Sequence, residues 1–586
     1  MKQLFYLNKF IKKYRSKIIL GFVFVVLSNL SALLPANLIG KSFDLIIEEI
    51  NLYSSSTQSK LFETIIIYSV FLILFAILKG IFMFFMRQNI IVVSRHIEYD
   101  LKNEIFKQYQ KLSPSFYQKN DSGDIINRIT EDVSRVRMYL GPAIMYTFNL
   151  TTLISLILFR MVYISPFLTM VVIVPLPLLS YLIYKVSNKI NRKSFDVQKI
   201  LSSLTNTVQE AFSGIRLVKS FVNEKALQKD FDQISESYKS VNIELAKINS
   251  VFFPLVLLLV GLSILLTVYV GGNLVLNDKV SIGQVTEFII YVNMLTWPVT
   301  SIGWVTEVVQ RAAASQERIN QFLNEKDFTI FSKDANMKNV VFHNSICFNN
   351  LSYKYPKSNV SAVRNLNFEI KKFEKIAFVG NVGSGKTTIL KILSGILIPR
   401  CGEMIIDDVN SNEIDWYNFR KSISYVSQNV FLFSDTIKNN ISLHSPKVGD
   451  DKIIKLLKKL SLYDEVLSFK DGINTYVGEG GITLSGGQKQ RVALARALIS
   501  KPKILILDDA LSKVDSDTES KIVDFIMSEF EDSTIILSSN RLSILSTCSN
   551  ILVLKSGELI DSGIAKDLIK KKGEFRNLYL NQSRSK

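Results

Sequence analysis

Six long runs with almost no charge constrain this chain more than any other feature of its sequence. Residues 18–40 hold no charged side chain, and roughly 20 apolar residues rising 1.5 Å each cross the hydrocarbon core of a bilayer. A removable leader would carry a shorter apolar stretch and a small-residue cleavage site, and five further runs follow at about 61–86, 138–160, 161–186, 249–273 and 281–305. The expectation is a retained α-helical bundle of six spans. Composition agrees, because 48% hydrophobic against 21% charged residues lies at the apolar edge of soluble proteins and leaves no case for disorder. Cys347, Cys401 and Cys548 are too few and too scattered for a disulfide framework, and are expected as reduced core residues. No His or Cys pair has zinc-ligand spacing.

A net charge of +18 could reflect nucleic acid, acidic lipid or membrane topology, and its placement decides between them. Lys2, Lys9, Lys12, Lys13, Arg15 and Lys17 precede the first run with no acidic residue among them. Basic residues recur in the connections after the second run (Arg95, Lys102, Lys111) and after the fourth (Lys185, Arg192, Lys193, Lys219), while the other connections hold few. The bias puts the N-terminus in the cytoplasm and returns the chain there near Arg311. A cysteine probe at Ser55 should then be labelled from outside, and one at Asp121 should not. Nucleic acid is excluded as a partner, since the charge is topological; the lipid bilayer is the partner it implies. Both basic connections are far longer than ordinary loops and read as helices continuing beyond the membrane, broken at 120–123 and at 213–214. Such tips are placed to touch a second domain and relay movement to the spans.

After a membrane domain at 1–325 and a polar linker at 326–339, residues 340–586 alternate short β-rich runs with helices, as in a three-layer α/β domain. Its first motif runs Gly380-Asn381-Val382-Gly383-Ser384-Gly385-Lys386-Thr387, followed by Thr388. It follows an apolar strand and opens a helix, which is the context a P-loop requires. Backbone N–H groups of such a loop cradle phosphates, Lys386 faces the β and γ phosphates of ATP, and the Thr387 hydroxyl can take Mg²⁺. A second apolar strand, 504–507, delivers Asp508 and Asp509, and Asp508 is the natural Mg²⁺ carboxylate. The third motif is Leu-Ser-Gly-Gly-Gln-Lys-Gln-Arg at 484–491.

Together these motifs resemble ATP-binding cassette exporters of the half-transporter type, and the resemblance covers essentially the whole chain. It implies that Tyr355 stacks on adenine, that Gln428 is the Q-loop glutamine near the metal, that Val477 to Gly481 is the exporter X-loop and that Asp515 ends the D-loop. It also implies a dimer with two ATP sites, in which Ser485, Gly486, Gly487 and Gln488 close over the partner's nucleotide. Two positions depart from the family. Asp509 stands where the catalytic Glu is usual, and Asn540 where the switch His is usual. Asp is shorter by one carbon–carbon bond, roughly 1.5 Å, a displacement that costs positioned catalysis on the order of 10²-fold. Asn cannot carry a proton as His can. The combination resembles the degenerate-site half of a heterodimeric bacterial exporter whose partner supplies Glu and His. Two alternatives remain: a homodimer in which Asp509 hydrolyses slowly, and an ATP-binding gating subunit without turnover.

By the same resemblance the substrate is a hydrophobic or amphipathic drug or lipid, and the location a bacterial inner membrane with the ATPase domain in the cytoplasm. No single residue identifies the cargo. Lys79 reads equally as a snorkelling lysine and Arg160 as a helix-end residue, while Tyr146, Asn149, Asn293 and Trp297 suit interhelical packing as well as a pathway.

Overall fold

A computed structural model of the chain describes residues 2–52, 58–325, 337–355, 358–399, 401–444 and 448–584. It divides into two compact units: residues 1–107 with 125–324, and residues 108–124 with 325–586. Ser55 and most of the linker at 326–339 lie outside the described residues.

The first unit is helical. Among the described residues, five helices are long and apolar enough to cross a membrane: Arg15–Glu48, Phe62–Lys111, Ser122–Ile164, Glu224–Leu276 and Ile282–Leu323. The fourth expected span, 161–186, is instead divided between Pro166–Ile173 and Pro175–Ser213. Pro175 and Pro177 lack the N–H groups that would bond back to Val171 and Ile173, so the apolar run is not one unbroken helix. The turn before it also falls later than the apolar runs suggest. Ser165 caps the Leu168 N–H at 3.3 Å and Pro166 takes the first helical position, so the preceding helix runs to Ile164 rather than ending at Arg160.

That shift changes the standing of Arg160. It lies a full turn inside its helix and pairs at 3.0 Å with Glu287, a carboxylate only 2% exposed that also accepts from the Tyr291 hydroxyl. Asn37 donates weakly to the same group, at 3.3 Å. Removing one member of a buried pair leaves an uncompensated charge, so these contacts hold three spans in register. Asp44 accepts from the Ser281 hydroxyl and the Gly283 N–H, both at 2.7 Å, and caps the last span.

Each long basic connection carries two breaks where the sequence suggests one. Pro114–Lys119 stands between breaks at Leu112–Ser113 and Asn120–Asp121, and Ile215–Ser220 between Gly214 and Phe221–Asn223. Val222 takes a left-handed φ of 53°, rare for a β-branched residue, and Phe221 and Val222 are largely exposed.

The second unit holds two sheets. β1 (Ser345–Tyr353), β2 (Val363–Lys371), β4 (Cys401–Ile406) and β5 (Val409–Asn410) form an antiparallel sheet in the order β2-β1-β4-β5. β3 (Lys375–Val379), β6 (Ile423–Val426), β7 (Ile504–Asp508), β8 (Thr534–Ser538), β9 (Asn550–Lys555) and β10 (Glu558–Gly563) form the other, in the order β10-β9-β3-β8-β7-β6. Its centre is parallel, with only β10 antiparallel to β9. Alternate residues supply two cores. Ile376, Phe378, Ile504, Ile506 and Ile536 pack with Trp416 and Ile389 on one face. Ala377, Val379, Leu505, Leu507, Ile535 and Leu537 pack with Leu494 and Leu457 on the other. Burial on both faces explains why these strands read as unbroken apolar runs. Of the cysteines, only Cys548 is buried; Cys347 is partly exposed and Cys401 exposed, so the expectation of three core thiols fails for Cys401, which opens the edge of β4.

Candidate functional site

Open parallel sheets place ligands at the carboxyl ends of their strands, and there the central strands β3 and β7 deliver the P-loop and Asp508. Between β3 and the helix Lys386–Leu393 the chain must turn sharply without side chains. Gly385 has a φ of 101°, and a Cβ there would meet the Ala362 carbonyl oxygen at 2.7 Å. A Cβ on Gly380 would collide with the Leu554 carbonyl oxygen. The loop borders a cavity of about 540 Å³ walled by Val382, Gly383, Ser384, Gly385, Lys386, Thr387 and Thr388. Gly380 and Asn381 do not line it. Their carbonyls instead hold the Lys386 ammonium at 2.6 and 3.0 Å.

Tyr355, Gln428, Asp508, Asp509 and Asn540 also line the cavity, beside Ala362, Ser538, Ser539 and Arg541, so residues far apart in sequence meet in one place. The Tyr355 hydroxyl lies 3.3 Å from that of Thr388. The Thr387 hydroxyl donates to Asp508 at 3.1 Å and the Tyr425 hydroxyl at 3.2 Å. Burial pushes the Asp508 carboxyl up from its ordinary range, while those two hydrogen bonds pull the other way. Burial likewise lowers Lys386, against the attraction of Asp508 and Asp509. The buried Ser384 hydroxyl has no hydrogen-bond partner among the described residues. A cavity with a buried hydroxyl left unsatisfied, a desolvated ammonium and a glycine-lined turn has the donors a polyphosphate needs. The Thr387 and Asp508 oxygens, side by side, are hard donors that suit Mg²⁺.

Asp509 follows β7 in the left-handed conformation, with φ of 50°. Asp is among the few residue types that adopt it readily. Its backbone is pinned on both sides: its N–H donates to Ser538 at 3.1 Å and its carbonyl accepts from the Ser512 hydroxyl at 3.0 Å. Asn540 accepts from the Gly380 N–H at 3.3 Å through its side-chain oxygen.

Ser485, Gly486, Gly487 and Gln488 do not line this cavity. They open the helix Gly486–Leu498, where Ser485 accepts from the Gln488 N–H at 3.2 Å and the Gln488 side chain accepts from the Ser485 N–H at 2.8 Å. This reciprocal cap leaves an exposed helix N-terminus with Ile482 largely bare beside it. Asp515 caps the helix Ser516–Glu529 through the Thr518 N–H at 2.9 Å, which lowers its pKa.

Three residues at the site escape a reading of the sequence. Tyr425 reaches Asp508 because β6 pairs in parallel with β7, setting Tyr425 opposite Ile506. Gln490, 1% exposed, binds the Lys513 N–H at 2.8 Å and the Ser512 hydroxyl at 3.0 Å, joining the Gly486–Leu498 helix to the segment after Asp509. Arg541, next to Asn540, donates to the Ser512 carbonyl at 2.9 Å and pairs with Glu519. The register and packing that make these contacts leave no motif, although Gln490 sits inside one.

Comparison with known proteins agrees with this geometry. Residues 18–299 match the ABC transporter transmembrane region family, and residues 363–512 match the ABC transporter family. The chain is 32% identical over 574 residues to the multidrug resistance-like ATP-binding protein MdlA of Buchnera aphidicola subsp. Schizaphis graminum, covering 97% of this chain and 96% of that one. It is 31% identical over 578 residues to the probable multidrug resistance ABC transporter ATP-binding/permease protein YheI of Bacillus subtilis, covering 98% and 97%. With the ATP-dependent lipid A-core flippase of Syntrophus aciditrophicus it shares 28% identity over 508 residues, covering 87% and 84%. A helical membrane region, an ATPase domain built around a P-loop and near full-length likeness to these relatives lead to one conclusion: the chain belongs to the ABC transporters, as an exporter half-transporter that carries both domains on one polypeptide.

Proposed function

We propose that this chain is one half of an ATP-driven exporter, that it binds MgATP in the cavity between β3 and β7, and that its own site hydrolyses ATP poorly. The observation that carries the reading is an intact phosphate cradle with two altered positions in the same wall, Asp509 and Asn540. Lys386 holds phosphate oxygens, Tyr355 faces the base, and Thr387, Asp508 and Gln428 hold Mg²⁺, which neutralises phosphate charge when bound. Asp509 orients the attacking water from too far away, and Asn540 supplies a hydrogen bond without a proton to give.

The exposed cap formed by Ser485 to Gln488 fits a second chain's nucleotide, and the largely exposed Phe221 and Val222 at the second inner tip favour cover by another chain. Full turnover then needs an unlike half with Glu and His at the two positions. A homodimer is the second reading, favoured by the carboxylate that Asp509 keeps in the wall. The relatives' names, multidrug resistance and lipid A-core flippase, support a hydrophobic or amphipathic cargo. The basic residues support both termini in the cytoplasm, the bacterial relatives support an inner-membrane location, and the shift in composition supports a membrane domain at 1–325, a linker at 326–339 and the ATPase domain at 340–586. The test is the ATPase rate of the purified chain, which binds ATP yet turns over very slowly, against its complex with a Glu-bearing half, which turns over. Replacing the tip at 213–215 should keep ATP binding and abolish transport; unimpaired transport would remove the tips as the relay.

A further inference from the structure

The charges near the membrane ends of the spans are of two kinds. Asp44, Arg160 and Glu287 are each held by side chains or backbone of another span. Arg87 has no ion-pair or hydrogen-bond partner among the described residues, and it is exposed. It stands in a groove of about 470 Å³ with Phe84, Gln88, Pro142, Met145 and Tyr146, and no acidic residue lines that groove. Its depth is fixed twice over. Arg87 directly follows the apolar run 61–86, while Pro142, Met145 and Tyr146 open the run 138–160, so both helices set the groove at the same membrane boundary.

The groove is also preformed. The helix at Tyr139–Ala143 winds in wider π turns around Pro142, which has no N–H to bond. Beside it Gly141 lies so close to the neighbouring helix that a Cβ there would sit 2.6 Å from the Ser94 hydroxyl oxygen.

From this groove we infer a site for the head of an anionic amphiphile drawn from the adjoining leaflet, the phosphate or carboxylate against Arg87 and Gln88 and the alkyl body along Phe84 and Met145. A guanidinium matches such heads with two parallel hydrogen bonds. The apolar walls give a lipid-like molecule contacts that a free phosphate ion cannot use, and a cationic amphiphile meets no carboxylate here. The inference deepens the exporter reading by naming a substrate class, and it rests on that reading only for the claim that the bound molecule is moved.

Trp304 reports on the groove, because its ring packs edge-on against Tyr146 with centroids 5.6 Å apart. Trp416 is buried in the ATPase core, so Trp297→Phe isolates Trp304 among the three tryptophans. The experiment titrates the full chain, in phosphatidylcholine nanodiscs, with brominated phosphatidylglycerol or brominated phosphatidylcholine and follows quenching without ATP. Saturable quenching by phosphatidylglycerol at roughly tenfold or more lower concentration is expected. Arg87→Gln should erase that preference, Arg87→Lys should keep most of it, and Gln88→Leu should weaken it, all with ATP binding unchanged as a check on folding. Equal quenching by the two lipids, or an undiminished preference in both Arg87→Gln and Gln88→Leu, overturns the site. A chain that binds phosphatidylglycerol here but never exports any amphiphile defeats the exporter reading and leaves the site standing. One that exports without preferring anionic lipid defeats the site alone.

Discussion

The two sides of the nucleotide cavity differ in how much the fold holds them. On the P-loop side the glycine turns, the ammonium and the carboxylate are all held. Gly380 and Gly385 cannot take a Cβ, Lys386 is tied to two carbonyls, and Asp508 is tied to Thr387 and Tyr425. On the opposite side the backbone of Asp509 is held as firmly, but no hydrogen bond among the described residues holds its carboxylate. Asn540 contributes an amide, which has no proton to exchange as an imidazole has. Under the proposed function, binding and hydrolysis depend on separate parts of one wall, and the second can change while the first stays whole.

The largest effect is expected from a residue outside the cavity. Ser485→Arg, in the complex with a Glu-bearing half, should lower steady-state ATPase by at least about 10²-fold although the P-loop of this chain is untouched, because in the proposed dimer the cap closes on the other nucleotide. Lys386→Ala should weaken ATP binding to this chain by roughly ten- to hundredfold in a titration of the purified protein. Asp508→Asn should separate stability from function. A folded-state pKa above the unfolded one means that the ionised group opposes folding once pH passes the raised value, and that the penalty fades on acidification. The neutral variant should therefore melt somewhat higher without nucleotide and lose the Mg²⁺-dependent gain in melting temperature that the wild type shows with ATP. Asp509→Ala should be the mildest, a few-fold change in the ATPase of the complex; a loss as large as that of Ser485→Arg would transfer support to the homodimer.

The ATPase side was the more legible in sequence because its chemistry is backbone chemistry. A turn that forbids Cβ atoms must be written in glycine, and Asp508 must end an apolar strand, so Gly380, Gly385 and Asp508 declare themselves. Tyr425, Gln490 and Arg541 do not, since each acts through a strand register or a loop contact that no local pattern records. In the membrane region apolar length locates most spans but cannot place their turns. The Ser165–Pro166 start was a capping signal inside an apolar run, and Pro175 with Pro177 interrupted a run whose hydropathy alone suggests one helix. Arg160 changed meaning with that shift, from a helix-end residue to the partner of Glu287.

In the proposed function Asp509 and Asn540, and not the cradle, limit hydrolysis at this site. The most direct measurement is the steady-state ATPase rate of the purified chain carrying Asp509→Glu together with Asn540→His, compared with wild type at matched ATP occupancy. The account predicts an increase in kcat on the order of 10²-fold with ATP affinity unchanged. A turnover number that stays at the wild-type value, with ATP still bound, would contradict it.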